Sequence, residues 1–225
     1  MGTSQAGCLF VSRYGQRNWI TIETWKRLLR DNKAGDQIAR EIPIMSGLTV
    51  EDLERLQAQN PDYQMELVDG EIIVMSPSGL ESDEVAAAII TQLSNWVRPR
   101  NLGRVTASSA GFILPNKNVR APDASFVRAQ TIRQTTEEYA QLVPDLILEL
   151  KSKSDVLKKL REKIWDFLEL GTQVGFWLTR APAQWKFIAL ISEKILLQDG
   201  DILTVPEVLP GWELPVAEVW ASEFE

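Results

Sequence analysis

Apolar and polar positions recur along this chain with two different periods, and the points where the period changes mark out its elements. Thr49 followed by Glu51, Asp52, Leu53 and Leu56 reads as a capped helix, its acidic residues placed where a helix N-terminus favours negative charge. Residues 64–75 form two apolar-rich runs around Asp69-Gly70, a strong hairpin pattern. Ser76-Pro77-Ser78-Gly79 breaks the chain, and Val85, Ile89, Leu93, Trp96 and Val97 then repeat at helical spacing from about residue 82 to 97. Short strands are expected near 104–106, 111–114 and 124–127, and a helix over much of 129–142. Residues 144–151 make a strand too apolar for a surface edge. After it, Ser154 or Asp155 caps a helix carrying Leu157, Leu160, Ile164, Phe167 and Leu168 on one face, and Gly171 ends that helix. Four further strands follow at 174–179, 184–191, 195–197 and 202–205.

This order of elements contains no repeat and no low-complexity linker. It predicts a single α/β domain over residues 46–225: a mixed β-sheet flanked by helices, with additional antiparallel strands at the C-terminal end. Residues 1–45 read as an N-terminal extension. Ile22, Trp25, Leu28 and Leu29 sit at helical spacing after Thr21, and one short amphipathic helix cannot bury its own apolar face. It is expected to dock on the body or on a partner rather than to act as a DNA-binding arm.

Composition then removes chemistry. The 225 residues include no histidine and one cysteine, Cys8. Ser-His-Asp and Cys-His arrangements, HExxH zinc sites and histidine-dependent nucleases are excluded, and one cysteine closes neither an intrachain disulfide nor a cysteine cluster. Carboxylates, lysines, hydroxyls and hard metals remain. The net charge is −7, from 24 basic and 31 acidic side chains. Residues 1–45 carry seven basic and four acidic side chains, leaving 17 and 27 in residues 46–225, a net −10. So acidic a body has no long-range pull on nucleic acid, and any DNA contact must use a local basic surface. The eight tryptophans are read as core and interface residues. No apolar run approaches the roughly 20 residues of a membrane span, and the start lacks the continuous apolar region of a signal peptide, so a cytoplasmic protein is expected.

The strand at 146–151 is the most informative local feature. Side chains alternate along a strand, so Leu146, Leu148 and Leu150 face one side while Ile147, Glu149 and Lys151 face the other. Two charges beside an apolar interior must be paired or must coordinate a metal. An internal ion pair, or the exposed end of a strand, satisfies that demand as well as an active site does. Pro122-Asp123 stands immediately before the strand-like Ala124–Val127, where a turn-forming role is the ordinary one. Together, an Asp at one strand edge and a Glu-x-Lys 26 positions later suit a divalent cation. Mg²⁺ takes oxygen ligands and keeps several waters, so Asp123, Glu149 and the Leu150 carbonyl are candidate ligands. Lys151 would then lie near a coordinated water or the attacked phosphate.

Pro-Asp followed by Glu-x-Lys on neighbouring strands resembles the signature of the PD-(D/E)XK nuclease superfamily. The ordered stretches MELVDGEIIVMSPSG, SAGFILPNKNVRAPDASFVR, VPDLILELKSKSDVLKKLREKIWDFLELG and LPGWELPVAEVW resemble one bacterial branch of it, the Uma-two family, over roughly residues 45–221. The bare motif is weak, whereas the ordered set is specific. The resemblance implies a restriction-endonuclease-like core and an Mg²⁺- or Mn²⁺-dependent endonuclease acting on DNA, double-stranded by expectation. Asp123, Glu149 and Lys151 take the signature roles. It also implies an acidic residue from the preceding helix, Glu81 or Glu84, of which Glu81 is favoured because it follows the Ser-Pro-Ser-Gly break. Glu66 on the hairpin is a lesser candidate. Many members carry a histidine near the start of that helix, which this chain lacks, while it retains Lys151 where others have lost the lysine.

Lys151, Lys153, Lys158, Lys159, Arg161 and Lys163 place six cations within 13 positions. Lys159 and Lys163, one helical turn apart, are expected to face the cleft of Glu149 or else to form a solvated helix flank. Lys163 is the fifth site candidate. A homodimer is expected because double-strand cleavage uses two active sites. A second reading, a catalytically inactive nuclease fold serving as a nucleic-acid-binding or assembly module, follows from the acidic body and the missing histidine. A third, Lys151 as a Schiff-base nucleophile, lacks any matching substrate signal.

Overall fold

The computed structural model describes residues 7–11, 17–21, 47–75, 77–151, 156–181, 184–190, 194–198 and 200–220. The chain groups into two compact units, residues 1–75 and 76–225. In the first unit, strands β1 (Gly7–Val11) and β2 (Arg17–Thr21) pair antiparallel. Thr21 ends β2, and the helix expected beyond it lies outside the described residues. Helix α1 (Val50–Gln59) begins at Thr49 with a capping box: the Thr49 side chain accepts from the Asp52 N–H while Asp52 accepts from the Thr49 N–H. Strands β3 (Met65–Val68) and β4 (Glu71–Val74) form the expected hairpin. Asp69 and Gly70 turn it with φ of 50° and 79°, and Gly70 also passes too close to Gly47 for a side chain.

The second unit is built on a six-stranded sheet. Its strands are β5 (Gly103–Ala107), β8 (Ala124–Arg128), β9 (Leu146–Leu150), β10 (Val174–Ala181), β11 (Gln184–Leu190) and β12 (Lys194–Leu197), side by side in that order. Only β9 and β10 run parallel, joined through helix α3 (Leu157–Glu169); the other neighbours are antiparallel. The short strands β6 (Phe112–Ile113) and β7 (Val119–Arg120) pair with each other before β8 begins. Strand β9 is buried along its whole length, as its composition requires.

Strand alternation sorts the core onto two faces. Helix α2 (Leu80–Val97) lays Val85, Ala86, Ile89, Leu93 and Val97 over the face carrying Leu146, Leu148, Leu150, Phe176 and Leu178. The C-terminal pair β13 (Ile202–Thr204) and β14 (Glu213–Pro215), with the 3-10 turn at Val216–Val219, completes that cluster. Here β13 leaves the main sheet and pairs in a separate one. On the opposite face, α3 presents Leu160, Ile164 and Phe167 to Ile147, Val127, Phe112 and Trp177. Burying each such side chain contributes about 1.5–3 kcal/mol, so α3 is held chiefly by this stripe.

Two expected elements differ. No helix forms over 129–142; the segment is turns, with Ala140 bridging to Phe112 and exchanging backbone hydrogen bonds with Gly111 and Ile113. Ile132, Ala140, Leu142 and Val143 still pack on the α3-side cluster, so their apolar spacing reflects burial of an irregular chain. The Thr136 hydroxyl accepts from the Glu138 N–H, a local bond that competes with helix. Helix α3 has Val156 at its N-cap, without a side-chain cap; Ser154 and Asp155, expected to cap it, lie outside the described residues. Gly171, at φ 123°, ends it as expected.

Helix α3 approaches the sheet where β10 has no side chain. A Cβ on Gly175 would stand 2.6 Å from Cγ2 of Ile164, a β-branched side chain with little freedom to move aside. Gly175→Ala is therefore expected to lower unfolding stability by about 1–3 kcal/mol. Urea denaturation checks this, and an unchanged midpoint would show that the close approach is not what seats α3.

Candidate active site

Strands β8 and β9 pair with Ala124 opposite Leu148 and Phe126 opposite Leu146. Continuing that register by one residue sets Asp123 across from Glu149. The pair is closed at both ends by aspartates, each standing just before one strand and accepting from the last residue of the other. Asp123 Oδ2 accepts from the Leu150 N–H at 2.7 Å, and Asp145 Oδ2 accepts from the Arg128 N–H at 2.9 Å. Both aspartates follow a proline, which holds φ and keeps the approaching chain extended.

Glu149 is buried, 6% exposed, on the face that α3 covers. Lys163 reaches it from the buried side of α3. Its Nζ lies 2.8 Å from Glu149 Oε1, with both side chains 8% exposed, and also donates to the Ala121 carbonyl at 2.9 Å. The carboxylate contact is an ion pair by distance, without hydrogen-bond alignment at Oε1. One turn along, Asp166 of α3 accepts from Arg120 Nη2 at 2.7 Å. Helix α3 thus grips residues 120 and 121, immediately upstream of Asp123, and the same helix supplies the cation facing Glu149. Lys151 follows β9, half-buried; its N–H donates to the Leu178 carbonyl at 2.9 Å, and the strand alternation carries its side chain to the Glu149 face.

The structure therefore brings Asp123, Glu149 and Lys163 together at one end of the β8–β9 pair, with Lys151 following β9 at that end. Leu150 turns its side chain into the α2-side core while its N–H meets Asp123. In an extended strand the carbonyl of a residue points to the same edge as its N–H, so the Leu150 carbonyl is directed toward β8. Among the described residues no three carboxylate or cysteine side chains converge. The donor set is two carboxylates and a peptide carbonyl, all hard oxygens, which suits a cation such as Mg²⁺ that takes one or two carboxylates and keeps its waters.

Glu81 is half-buried in the first turn of α2, the helix over the opposite face, and Glu84 is exposed. Glu66 is buried on β3 in the first unit. Lys159 does not share the site with Lys163: it is exposed, as are Lys158 and Arg161, because the buried stripe of α3 runs through 160, 163, 164 and 167. Lys158 lies 3.6 Å from Glu162 in an exposed pair. Lys153 lies outside the described residues.

Sequence reasoning missed Arg120, Asp166 and Trp177. No pattern marks the first two, since their ion pair joins positions 46 apart. Trp177 stands beside Glu149 in the parallel register, 2% exposed, with its indole N–H unpaired. The aspartate at each end of β8–β9 was legible, because Pro-Asp occurs immediately before both strands. If Asp123 closes the pair as its geometry indicates, Asp123→Ala leaves the Leu150 N–H without its acceptor and costs about 1–3 kcal/mol. Asp123→Asn keeps an acceptor oxygen and is expected to lose much less. Equal denaturation midpoints for the two variants would dismiss this role.

A family model described as "putative restriction endonuclease", Uma2 (Uma-two), matches residues 50–217. Four chains of solved structures also match. One is the crystal structure of "a putative nuclease belonging to DUF820" from Anabaena variabilis, with a TM-score of 0.61 and 17% identity over 69% of this chain and 88% of that one. At that identity the likeness establishes the fold, which is nuclease-like mixed α/β. No curated protein matches. The ordered motifs, the assembled strand pair and the family match agree: the chain belongs to the Uma2 family of putative restriction endonucleases.

Proposed function

We propose that this chain is a divalent-metal-dependent DNA endonuclease with its active site at the Asp123 end of β8–β9. What supports the reading is the β8–β9 register, which continued by one residue sets Asp123 across from Glu149, and the buried Lys163 ammonium against that glutamate. Asp123, Glu149 and the Leu150 carbonyl would hold Mg²⁺ or Mn²⁺. When bound, such an ion supplies Lewis acidity toward phosphoryl oxygens and makes water a better nucleophile at neutral pH.

The chain's own residues do the rest. Lys151 donates to the phosphate as charge grows on its oxygens during attack, an interaction stronger in the transition state than in the ground state. As the bond from water oxygen to phosphorus forms in line, the bond from phosphorus to the departing sugar oxygen breaks and that oxygen takes up a proton. Lys163 holds Glu149 in place before the metal enters. Glu81 is the proposed additional carboxylate from α2. The exposed Lys158, Lys159 and Arg161 contact backbone phosphates, giving affinity without sequence information. Two copies acting together would cut both strands of a duplex.

Supercoiled plasmid incubated with purified protein and Mg²⁺ or Mn²⁺ tests this. Nicked and linear products are expected, abolished by chelator and reduced about a hundredfold or more in Lys151→Ala. Asp145→Asn, which alters the other end of the same strand pair, is expected to keep cleavage. Absence of cleavage, or equal cleavage by wild type and Lys151→Ala, defeats the proposal and leaves the nuclease fold as a binding or assembly module.

A further inference from the structure

We infer that Lys163 is an exchangeable internal counter-ion: its ammonium neutralises Glu149 while the site is empty of metal, and an incoming divalent cation must displace it. The inference rests on the metal site proposed above. Three observations on this chain carry it. The Lys163 ammonium and the Glu149 carboxylate are 2.8 Å apart with both side chains 8% exposed, so each depends on a partner inside the protein rather than on water. Lys163 emerges among Leu160, Ile164 and Phe167 on the apolar face of α3, where a cation without a counter-charge would be strongly disfavoured. Its second bond goes to the Ala121 carbonyl, two residues before Asp123, so the ammonium bridges the glutamate and the segment leading to the second carboxylate.

A divalent cation ligated by Glu149 and Asp123 would enter this same space. Two positive groups against one buried carboxylate repel each other with little solvent to screen them, and the interaction grows as the local dielectric falls. The ammonium therefore leaves Glu149 as the cation arrives. The Ala121 carbonyl gives it a place to stay, because that acceptor is a neutral backbone group that the cation does not need. The apolar stripe of α3 keeps the helix docked, and the Arg120–Asp166 ion pair keeps its position, while the lysine side chain moves. In this arrangement the metal-free protein avoids a buried unpaired carboxylate, and its affinity for the cation is set below what the bare ligands would give.

The inference separates stability from affinity, since removing the lysine is expected to weaken one and strengthen the other. Full-length wild type, Lys163→Met, Lys163→Gln and Lys163→Arg are titrated with MnCl₂ by calorimetry and melted in chelator and in Mn²⁺, with Asp123→Asn defining binding at the proposed site. Lys163→Met is expected to melt lower in chelator, to bind Mn²⁺ about tenfold more tightly or better, and to gain more from added Mn²⁺ than wild type does. Lys163→Gln, which retains a donor for the Ala121 carbonyl, gives the same affinity gain if the methionine variant fails to fold. Lys163→Arg, which keeps the charge, should hold Mn²⁺ affinity near that of wild type. If wild type binds Mn²⁺ through Asp123 but the neutral variants bind no more tightly, the counter-ion inference is overturned while the metal site stands. If no variant binds Mn²⁺ in an Asp123-dependent way, the metal-site reading itself fails and this inference with it.

Discussion

The register of β8 against β9 is the constraint on which the rest of the second unit depends. Side chains alternate with a period of two, so a slip of one residue would carry Glu149 into the α2-side core and Leu148 and Leu150 to the α3 side. Two independent devices oppose that slip. One is burial, since both faces of β9 are covered and each demands its own residues. The other is the reciprocal aspartate clasp, in which Asp123 holds the last N–H of β9 and Asp145 the last N–H of β8. Asp123 is consequently a structural acceptor as well as a candidate ligand, and its substitution acts on both roles at once.

Helix α3 converts this register into a site. Gly175 lets Ile164 come close to β10, and the same approach brings the Lys163 side chain over Glu149. A buried ion pair gives little net stability, because desolvating two charges offsets most of their attraction. The apolar stripe of α3 supplies the adhesion, and the polar contacts supply position: Lys163 to Glu149 and Ala121, and Asp166 to Arg120. An apolar residue in place of Lys163 would pack on the same face without aiming at Glu149 or the Ala121 carbonyl. The lysine is costly to bury, and its neighbours explain its presence better than helix stability does.

Much of this was legible along the chain, for local physical reasons. The Asp69-Gly70 hairpin, the Thr49 cap, the apolar period of α2 and the unbroken apolar run of β9 each express a preference that neighbouring residues enforce on one another. The errors have a common origin. Residues 129–142 suit a helix by sequence, yet the backbone of Ala140 is committed to Gly111 and Ile113, which no local pattern reveals. Lys159 and Lys163 looked alike as basic residues one turn apart, but the width of the buried stripe leaves one in solvent and places the other at 8% exposure.

The amino-acid order alone set the chemical inventory: no imidazole, a single thiol, and a Pro-Asp and a Glu-x-Lys on strands of known alternation, which leave carboxylates, lysines and hydroxyls as the available groups. It also determined family membership and most of the secondary structure, because caps, turns and periodicity are written in adjacent residues. The tertiary structure decided which charges meet. Asp123 stands beside Glu149 through strand pairing across 26 positions, Lys163 faces Glu149 through the seating of α3, and Arg120 finds Asp166 across 46. Such encounters depend on the relative position of packed layers, a property of the whole core that no segment carries by itself.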